Sequence, residues 1–266
     1  MSRRPGRHDA NRSRHAPGQS GAKDPASEWV FGTHAALAAL SNPRREIRRI
    51  VASHQSAPAW REKVAARGLK LEETSPEAMT QLLGRDTVHQ GIAVFAGPPA
   101  ETSLEDMIDE APRKDALLVV LDQVTDPHNV GAILRSAAAF GASGLIMQDR
   151  HAPPLNGTVA KAASGGADLV PVARVVNIAR TLEELKQAGF TVIGLAGETD
   201  KPLKDLVPEG PVALVLGAEG PGLRRLVREQ CDALARIDMA PAMESLNVSN
   251  AAAIALYELR RGKRLR

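Results

Sequence analysis

Two kinds of hydrophobic pattern alternate along the second half of the chain. Short uninterrupted apolar runs predict strands, and stretches with apolar positions at helical spacing predict helices. The strands are expected at 117–121, 144–147, 169–172, 191–196, 212–216 and 235–238, and the helices near 127–140, 156–164, 177–188, 222–231 and 248–261. Continuous apolar strands separated by helices are typical of a mostly parallel sheet covered on both faces, so the pattern predicts an α/β fold.

A smaller α/β module precedes this region. The stretch 29–40 predicts a short strand that leads into an amphipathic helix. Further strands are expected at 47–53 and 91–97, and further helices over 60–68 and 75–84. In the last of these helices Ser75 is the expected N-cap, followed by Pro76 in the first turn and Gly84 at the end. We therefore divide the chain into an arm at 1–27, a module at 28–98, a linker at 99–114 and a large domain at 115–264.

Composition limits the class of protein. Hydrophobic residues make up 43% of the 266 positions, whereas aromatic residues make up only 3%, so the core must be aliphatic. Cys231 is the single cysteine, which excludes an internal disulfide and a cysteine-built metal cluster. No apolar run is long enough to span a membrane, and the N-terminus lacks the apolar stretch of a signal peptide. These features predict a soluble cytoplasmic protein without a metal.

Charge is concentrated at the N-terminus. Residues 1–27 carry six Arg or Lys against two Asp, while the whole chain has a net charge of only +3. Such an arm is predicted to be disordered, and it is either a contact for a polyanion or a solvated tail. Because the remaining chain is slightly acidic, any nucleic-acid site in its body must be a local patch.

The segment 121–142 combines a helix start with an unpaired positive charge. Asp126 can cap the helix, whose apolar stripe should face the sheet. Arg135 lies off this stripe and on the same side as His128 and Gly131. Arg135 and the polar helix start could therefore address a ligand together, and the alternative is a solvated arginine on a helix surface.

A glycine-rich loop follows the strand at 212–216, in the sequence LVLGAEGPGLRRL (214–226). It has neither the Lys-Ser/Thr of a Walker loop nor the G-x-G-x-x-G spacing of a dinucleotide loop. Glu219 at its centre would repel an anion, but its carboxylate suits a hydroxyl, an amine or a cation. The alternative is a tight turn whose glutamate points into water or caps the next helix.

Small polar residues crowd the start of the C-terminal helix: Ser245, Asn247, Ser249 and Asn250. One such residue is enough to cap a helix. The surplus indicates that some of these side chains or amides serve a ligand.

Together, these three segments resemble the SpoU family of RNA 2′-O-ribose methyltransferases over roughly residues 114–262. The matching residues are Asn129, Gly131, Arg135, Phe140 and Gly141, then Gly217, Glu219, Gly220 and Gly222, then Met239, Ser245, Leu246, Asn247, Val248, Ser249 and Glu258. The module at 29–97 resembles, less specifically, the ribosomal-protein-like substrate-binding domain of the ribosomal branch. Asp238 and His128 depart from the common pattern.

The resemblance implies features that the hydrophobic pattern does not predict. The sheet is expected to end in a C-terminal trefoil knot, although chains generally avoid knots. A homodimer is implied, with the active site completed across the subunit interface and S-adenosylmethionine bound in the knot. The implied cofactor-binding residues are Gly197, Leu216, Gly217, Ile237, Met239 and Leu246. This cofactor has no phosphate, and glycines let backbone amides approach it closely.

For the reaction, the resemblance implies attack of a ribose 2′-hydroxyl on the methyl carbon of the cofactor. Arg135 matches the key arginine of the family. Because a guanidinium keeps its proton in proteins, we expect Arg135 to bind the adjacent phosphate and orient the hydroxyl rather than to deprotonate it. Asn129, Glu219, Ser245 and Asn247 would orient the groups around it.

The implied substrate is ribosomal RNA, and the N-terminal module favours a guanosine of 23S rRNA. With few aromatic residues, phosphate contacts and RNA shape should dominate over base stacking, and the arm and residues 260–266 are candidate contacts. The alternatives are a transfer-RNA ribose methyltransferase, a resistance-type enzyme acting on a neighbouring rRNA site, and a non-catalytic RNA-binding ribosome assembly factor. A nucleotide-phosphate enzyme is disfavoured by the acidic loop.

Overall fold

The N-terminal module is built on a four-stranded sheet in the order β1-β4-β2-β3. The computed structural model describes residues 27–263 except 113, 207, 241 and 244, so nearly all of the predicted arm lies outside the described residues. The strands are β1 (Glu28–Phe31), β2 (Ile47–Ser53), β3 (Leu71–Thr74) and β4 (Ile92–Ala96). β4 pairs antiparallel with β1 and β2, and β3 pairs parallel with β2.

Three helices cover this sheet on both faces. Helices α1 (Thr33–Ser41) and α2 (Ala57–Ala66) pack on one face, and α3 (Pro76–Leu83) packs on the other. The predicted cap of α3 is confirmed, because the Ser75 side chain accepts a hydrogen bond from the Ala78 amide at 3.2 Å. The short edge strand β3 was not predicted, since LEET offers a single large apolar residue.

The large domain contains a six-stranded sheet in the order β10-β8-β9-β5-β6-β7, and all of its strand pairs are parallel. The strands are β5 (Leu117–Asp122), β6 (Gly144–Gln148), β7 (Val172–Val175), β8 (Thr191–Leu195), β9 (Val212–Gly217) and β10 (Ala233–Ala235). The parallel α/β prediction is therefore confirmed. Parallel strands place their carboxyl ends at one edge, so the loops after β8, β9 and β10 lie side by side.

Helices cover both faces of this sheet, and each face has its own aliphatic core. On one face lie α5 (Pro127–Ala139), α6 (Thr158–Ala163), α7 (Gly166–Leu169) and α10 (Val248–Arg260). On the other lie α4 (Leu104–Glu110), α8 (Ile178–Gln187) and α9 (Arg225–Gln230). No described helix is long and apolar enough to cross a membrane.

Several element boundaries differ from the sequence pattern. The run at 169–172 was predicted as a strand, but α7 occupies 166–169 and Leu169 is 59% exposed, so the strand begins only at Val172. The helix predicted from 222 begins at Arg225, because the glycine loop extends to that point. Within the stretch predicted as a linker, 99–114, the chain forms α4, whose Met107 is buried against the large sheet.

Candidate active site

A cavity of about 930 Å³ opens at the carboxyl edge of the large sheet. The loops after β8, β9 and β10 form its walls, together with the segment that leads into α10. All six residues implied as cofactor-binding line this cavity: Gly197, Leu216, Gly217, Ile237, Met239 and Leu246. Glu219, Ser245 and Asn247 line it as well. The structure thus brings nine of the eleven candidate residues around one space.

The glycine loop folds back tightly on itself at the carboxyl end of β9. A methyl group on Gly217 would lie 2.2 Å from the carbonyl carbon of Gly222, so no larger residue fits there. The Gly222 amide donates to the Ala218 carbonyl at 3.0 Å, and Gly220 and Gly222 have φ angles of 82° and 67°. Glycine is required for this shape, because such φ angles are strained for other residues.

A buried carboxylate holds the end of the glycine loop. Asp122, the last residue of β5, is fully buried and accepts a hydrogen bond from the Arg224 amide at 2.9 Å. It also accepts a hydrogen bond from Arg224 Nε at 2.7 Å, and Arg224 Nη2 lies 2.6 Å from the same carboxylate oxygen as an ion pair. Sequence reasoning missed Asp122, although its signal was visible as an acid placed directly after the apolar run LLVVL.

Three predicted residues from three distant segments meet in one polar network. Glu219 Oε1 accepts hydrogen bonds from Asn129 Nδ2 at 3.1 Å and from Asn247 Nδ2 at 2.6 Å. Asn247 Nδ2 also lies 2.9 Å from Asn129 Oδ1, so the three side chains contact one another. Asn247 additionally caps α10 by accepting from the Ser249 amide at 2.9 Å. Glu219 is therefore held in place by two amides rather than pointing freely into water.

Among the described candidate residues, Arg135 neither lines the cavity nor joins the polar network. It is exposed on α5 and does not line the cavity of its own chain, and its side chain makes no hydrogen bond or ion pair within the described part of the chain. The expected shared surface with Gly131 is wrong, because Gly131 is buried against α6. A methyl group there would lie 2.5 Å from Ala162 Cβ and 2.7 Å from the Val159 carbonyl oxygen.

One charged pair involves the loop after β10, and another lines the cavity. Lys204 Nζ lies 2.6 Å from Asp238 Oδ2, and this hydrogen bond lowers the pKa of the Asp238 carboxyl. Arg228 forms an ion pair with Glu198, and both residues line the cavity. Burial raises the pKa of the Cys231 thiol to about 11, so this thiol is not a nucleophile near neutral pH. Among the described residues no group of His, Cys, Asp and Glu could hold a metal ion.

The chemistry of the cavity fits S-adenosylmethionine. Its volume lies in the usual range for a ligand of this size, roughly 300–1,000 Å³. Leu195, Leu216, Ile237 and Leu246 supply apolar surface for an adenine ring. The carboxylates of Glu198 and Glu219 suit a ligand that carries positive charge. A Cβ at Gly197 would meet no other atom within 4 Å, which leaves its backbone open to a ligand.

Comparison with known proteins agrees with this geometry. The model of the SpoU rRNA Methylase family matches residues 116–257, and the model for RNA 2′-O ribose methyltransferase substrate binding matches residues 29–102. A 23S rRNA (guanosine-2′-O-)-methyltransferase RlmB of Xylella fastidiosa strain Temecula1 is 41% identical over 90% of this chain and 98% of its own length.

Solved structures show the same architecture. An AdoMet-bound rRNA methyltransferase from Sinorhizobium meliloti superposes with a TM-score of 0.72 at 27% identity, covering 90% of this chain and 89% of that one. The SpoU methyltransferase AviRb from Streptomyces viridochromogenes, in complex with AdoMet, has a TM-score of 0.70 at 26% identity over 94% and 96% of the two chains. The present chain belongs to the SpoU rRNA methylase family.

Proposed function

We propose that this protein transfers a methyl group from S-adenosylmethionine to the ribose 2′-hydroxyl of a guanosine in 23S rRNA. The observation that carries the proposal is the Glu219–Asn129–Asn247 network at the rim of a glycine-walled cavity. Relatives named for this reaction align with the chain over almost their whole length. This breadth of alignment favours the ribosomal substrate over transfer RNA.

The residues of the cavity divide into two roles. Gly197, Leu216, Gly217, Ile237, Met239 and Leu246 hold the cofactor through backbone groups and apolar contacts. When bound, the cofactor supplies a methyl group on a sulfonium leaving group. Asn129, Glu219, Ser245 and Asn247 orient the ribose, and alignment of this kind can contribute about 7–11 kcal/mol toward the barrier.

Arg135 acts in the cavity of a partner subunit under this proposal. It is exposed and outside the cavity of its own chain, which suits a homodimer with sites completed across the interface. Its guanidinium binds the phosphate beside the target nucleotide and orients the 2′-hydroxyl. The C-terminal segment of the large domain would form the trefoil knot. The enzyme would work in the cytoplasm.

Substitution of Arg135 tests this function. We expect Arg135→Ala to lower turnover by about 100-fold or more, because a preorganised donor contributes on that order, while the S-adenosylmethionine Kd stays within about twofold. Arg135→Lys should not restore turnover, since lysine lacks the planar fork. Labelled methyl transfer to 23S rRNA, followed by mapping of 2′-O-methyl sites, measures the first effect, and calorimetry measures the second.

Arg180→Ala is the matched control, because Arg180 is 78% exposed on α8 and pairs only with the neighbouring Glu184 among the described residues. It should retain parental turnover. Full activity of Arg135→Ala would contradict the proposed role of Arg135. Absence of S-adenosylmethionine binding would favour a non-catalytic assembly factor, and methylation mapped to transfer RNA would favour the other substrate.

A further inference from the structure

The two domains meet through a close approach of backbone to backbone. Helix α1 of the N-terminal module packs against α7 of the large domain. A methyl group on Gly165, which precedes α7, would lie 2.9 Å from Ala38 Cβ and 3.2 Å from Ala35 Cα. Only small residues allow this approach, and the residues at the contact are Gly165, Ala35 and Ala38.

Beside this contact lies a buried polar cluster shared by the two domains. Arg45 Nη1 lies 3.3 Å from Asp168 Oδ1, and the two side chains are 1% and 4% exposed. The same carboxylate oxygen accepts from Asn42 Nδ2 at 3.2 Å. Nearby, Glu28 Oε2 accepts from the Gly157 amide before α6 at 2.5 Å. Two residues of the module therefore hold one carboxylate of the large domain, and a third holds the start of α6.

This cluster is poorly suited to stabilise the fold. Burial lowers the pKa of the Arg45 guanidinium and raises the pKa of the Asp168 carboxyl, so desolvation outweighs the attraction between them. Arg45 Nε and Nη2 and Glu28 Oε1 are buried without a hydrogen-bond partner among the described residues. A buried ion pair with unsatisfied atoms adds little stability, but it penalises any other arrangement of the two parts that it joins.

The opposite side of α7 contacts the helix that carries Arg135. A methyl group on Gly166 would lie 2.7 Å from the Leu134 carbonyl oxygen and 3.0 Å from the Arg135 amide nitrogen. Adjacent glycines therefore face two different partners: Gly165 meets α1, and Gly166 meets the backbone of Arg135. The N-terminal module is thus connected to the backbone of Arg135 through α7, in addition to the contact of Glu28 with the start of α6.

We propose that Arg45 and Asp168 are positioning residues that fix the angle of the substrate-binding module relative to Arg135, and so decide which nucleotide of a bound rRNA reaches the methyl group. This inference rests on the proposed function for its readout of turnover. The physical reason is that RNA held by the module must present one 2′-hydroxyl to Arg135, and a misplacement of about 1 Å can cost about 100-fold in rate.

The test uses the full-length protein with single and double variants. Arg45→Met and Asp168→Asn should each lower kcat by about 10- to 100-fold. The KM for rRNA should change by less than about threefold, because the proposal changes the placement of the bound RNA at the site and not its binding to the module. The Kd for S-adenosylmethionine should stay unchanged. Arg61→Met is the matched control, since Arg61 is exposed and pairs with Glu73 inside the module, and it should retain the parental kcat.

The double variant Arg45→Met/Asp168→Leu separates positioning from stability. It removes both buried charges, so thermal stability should equal or exceed that of the parent, as for other buried ion pairs replaced by apolar residues. The proposal predicts that kcat stays low and that methylation spreads to neighbouring nucleotides. A return of kcat together with stability would show a merely structural role and overturn the proposal.

Distances between the domains supply a readout independent of activity. Spin labels are attached at Glu62→Cys on α2 and Gln187→Cys on α8, in a Cys231→Ser background. Labelled protein is diluted into unlabelled protein, so that the measured distance reports the angle between the domains within one chain. The parent should give one narrow distance distribution, and the double variant a broad one. An unchanged narrow distribution would overturn the proposal even if Arg135 proved dispensable, so failure of the positioning role of Arg45 and Asp168 and failure of the proposed function remain distinguishable.

Discussion

At the scale of single residues, the site depends on carboxylates held by several donors. Asp122 receives two hydrogen bonds and an ion pair from Arg224, and Glu219 receives two hydrogen bonds from the amides of Asn129 and Asn247. A carboxylate fixed in this way keeps its position when a ligand enters, so the surrounding loop is preorganised. Asp122 fixes the end of the glycine loop at Arg224, and Glu219 is the carboxylate that the loop presents to the cavity.

We expect Asp122→Asn to weaken both the loop and the fold. The amide cannot accept from all of the Arg224 donors, and the buried site loses its charge. The free energy of unfolding should fall by about 1–3 kcal/mol, discounted because Arg224 is half exposed. S-adenosylmethionine affinity should fall by about tenfold, or about 1.4 kcal/mol. Urea unfolding and calorimetry measure the two effects.

Glu229→Gln is the control for this substitution, because Glu229 forms an exposed ion pair with Arg225 on α9. Its effect should be below about 0.5 kcal/mol. If Asp122→Asn bound the cofactor as tightly as the parent, the carboxylate would have no part in shaping the loop.

At the scale of elements, helix α5 connects the separate parts of the site. Its first turn presents Asn129 to the network, and its apolar stripe is buried on the sheet. Its Gly131 side packs on α6, and its Leu134–Arg135 backbone packs on α7. Because three neighbours contact this one helix closely, a small change in its position moves Asn129 and Arg135 together.

We predict that Gly131→Ala destabilises the protein despite the better helix propensity of alanine. The added methyl would lie 2.5 Å from Ala162 Cβ, so α6 must shift. Overpacking of this kind costs about 1–3 kcal/mol, against a gain of about 1 kcal/mol from helix propensity. Chemical denaturation measures the net effect. Ala139→Leu adds bulk at an exposed position of the same helix and should change stability by less than about 0.5 kcal/mol. A more stable Gly131→Ala variant would show that α6 shifts to accommodate the added methyl group at little cost in free energy.

At the scale of the whole molecule, helix α10 exposes two large apolar side chains on one side. Ile254 is 43% exposed and Tyr257 is 56% exposed, and the two lie on one side of the helix. Met243, in the segment before α10, is 62% exposed. The same helix begins at Asn247 beside the cavity. A second copy of the chain packed on this surface would therefore lie close to the proposed site.

We expect the parent to sediment as a dimer and Ile254→Arg/Tyr257→Glu to sediment as a monomer with little turnover, because charges would be buried in the interface. Leu226→Glu, at an exposed apolar position on α9, should leave the dimer intact.

Mixing Arg135→Ala chains with Asn247→Ala chains should restore about a quarter of parental turnover, because half of the dimers then contain one complete site. A mixture without activity would place Arg135 and Asn247 in the same site of one chain.

Much of the fold could be predicted because the hydrophobic pattern is strong where burial is complete. β5 and β9 are apolar at nearly every position, and both lie in the middle of the sheet. The pattern failed where apolar residues are exposed, as in Leu169 of α7, and where a strand is short and polar, as in β3. The hydrophobic pattern therefore predicted the elements correctly where side-chain burial determines the structure. It failed where backbone contacts determine the structure instead.

The sequence by itself determined the parallel α/β architecture, the Ser75 cap of α3 and the glycine loop with its central carboxylate, because these follow from local periodicity and from the conformations that each residue allows. Only the tertiary structure decided that Asp122 anchors that loop, that Gly131 faces α6 rather than a ligand, and that Arg45 of one domain pairs with Asp168 of the other. Those contacts join residues far apart along the chain, and local physical chemistry carries no information about which distant surfaces will meet.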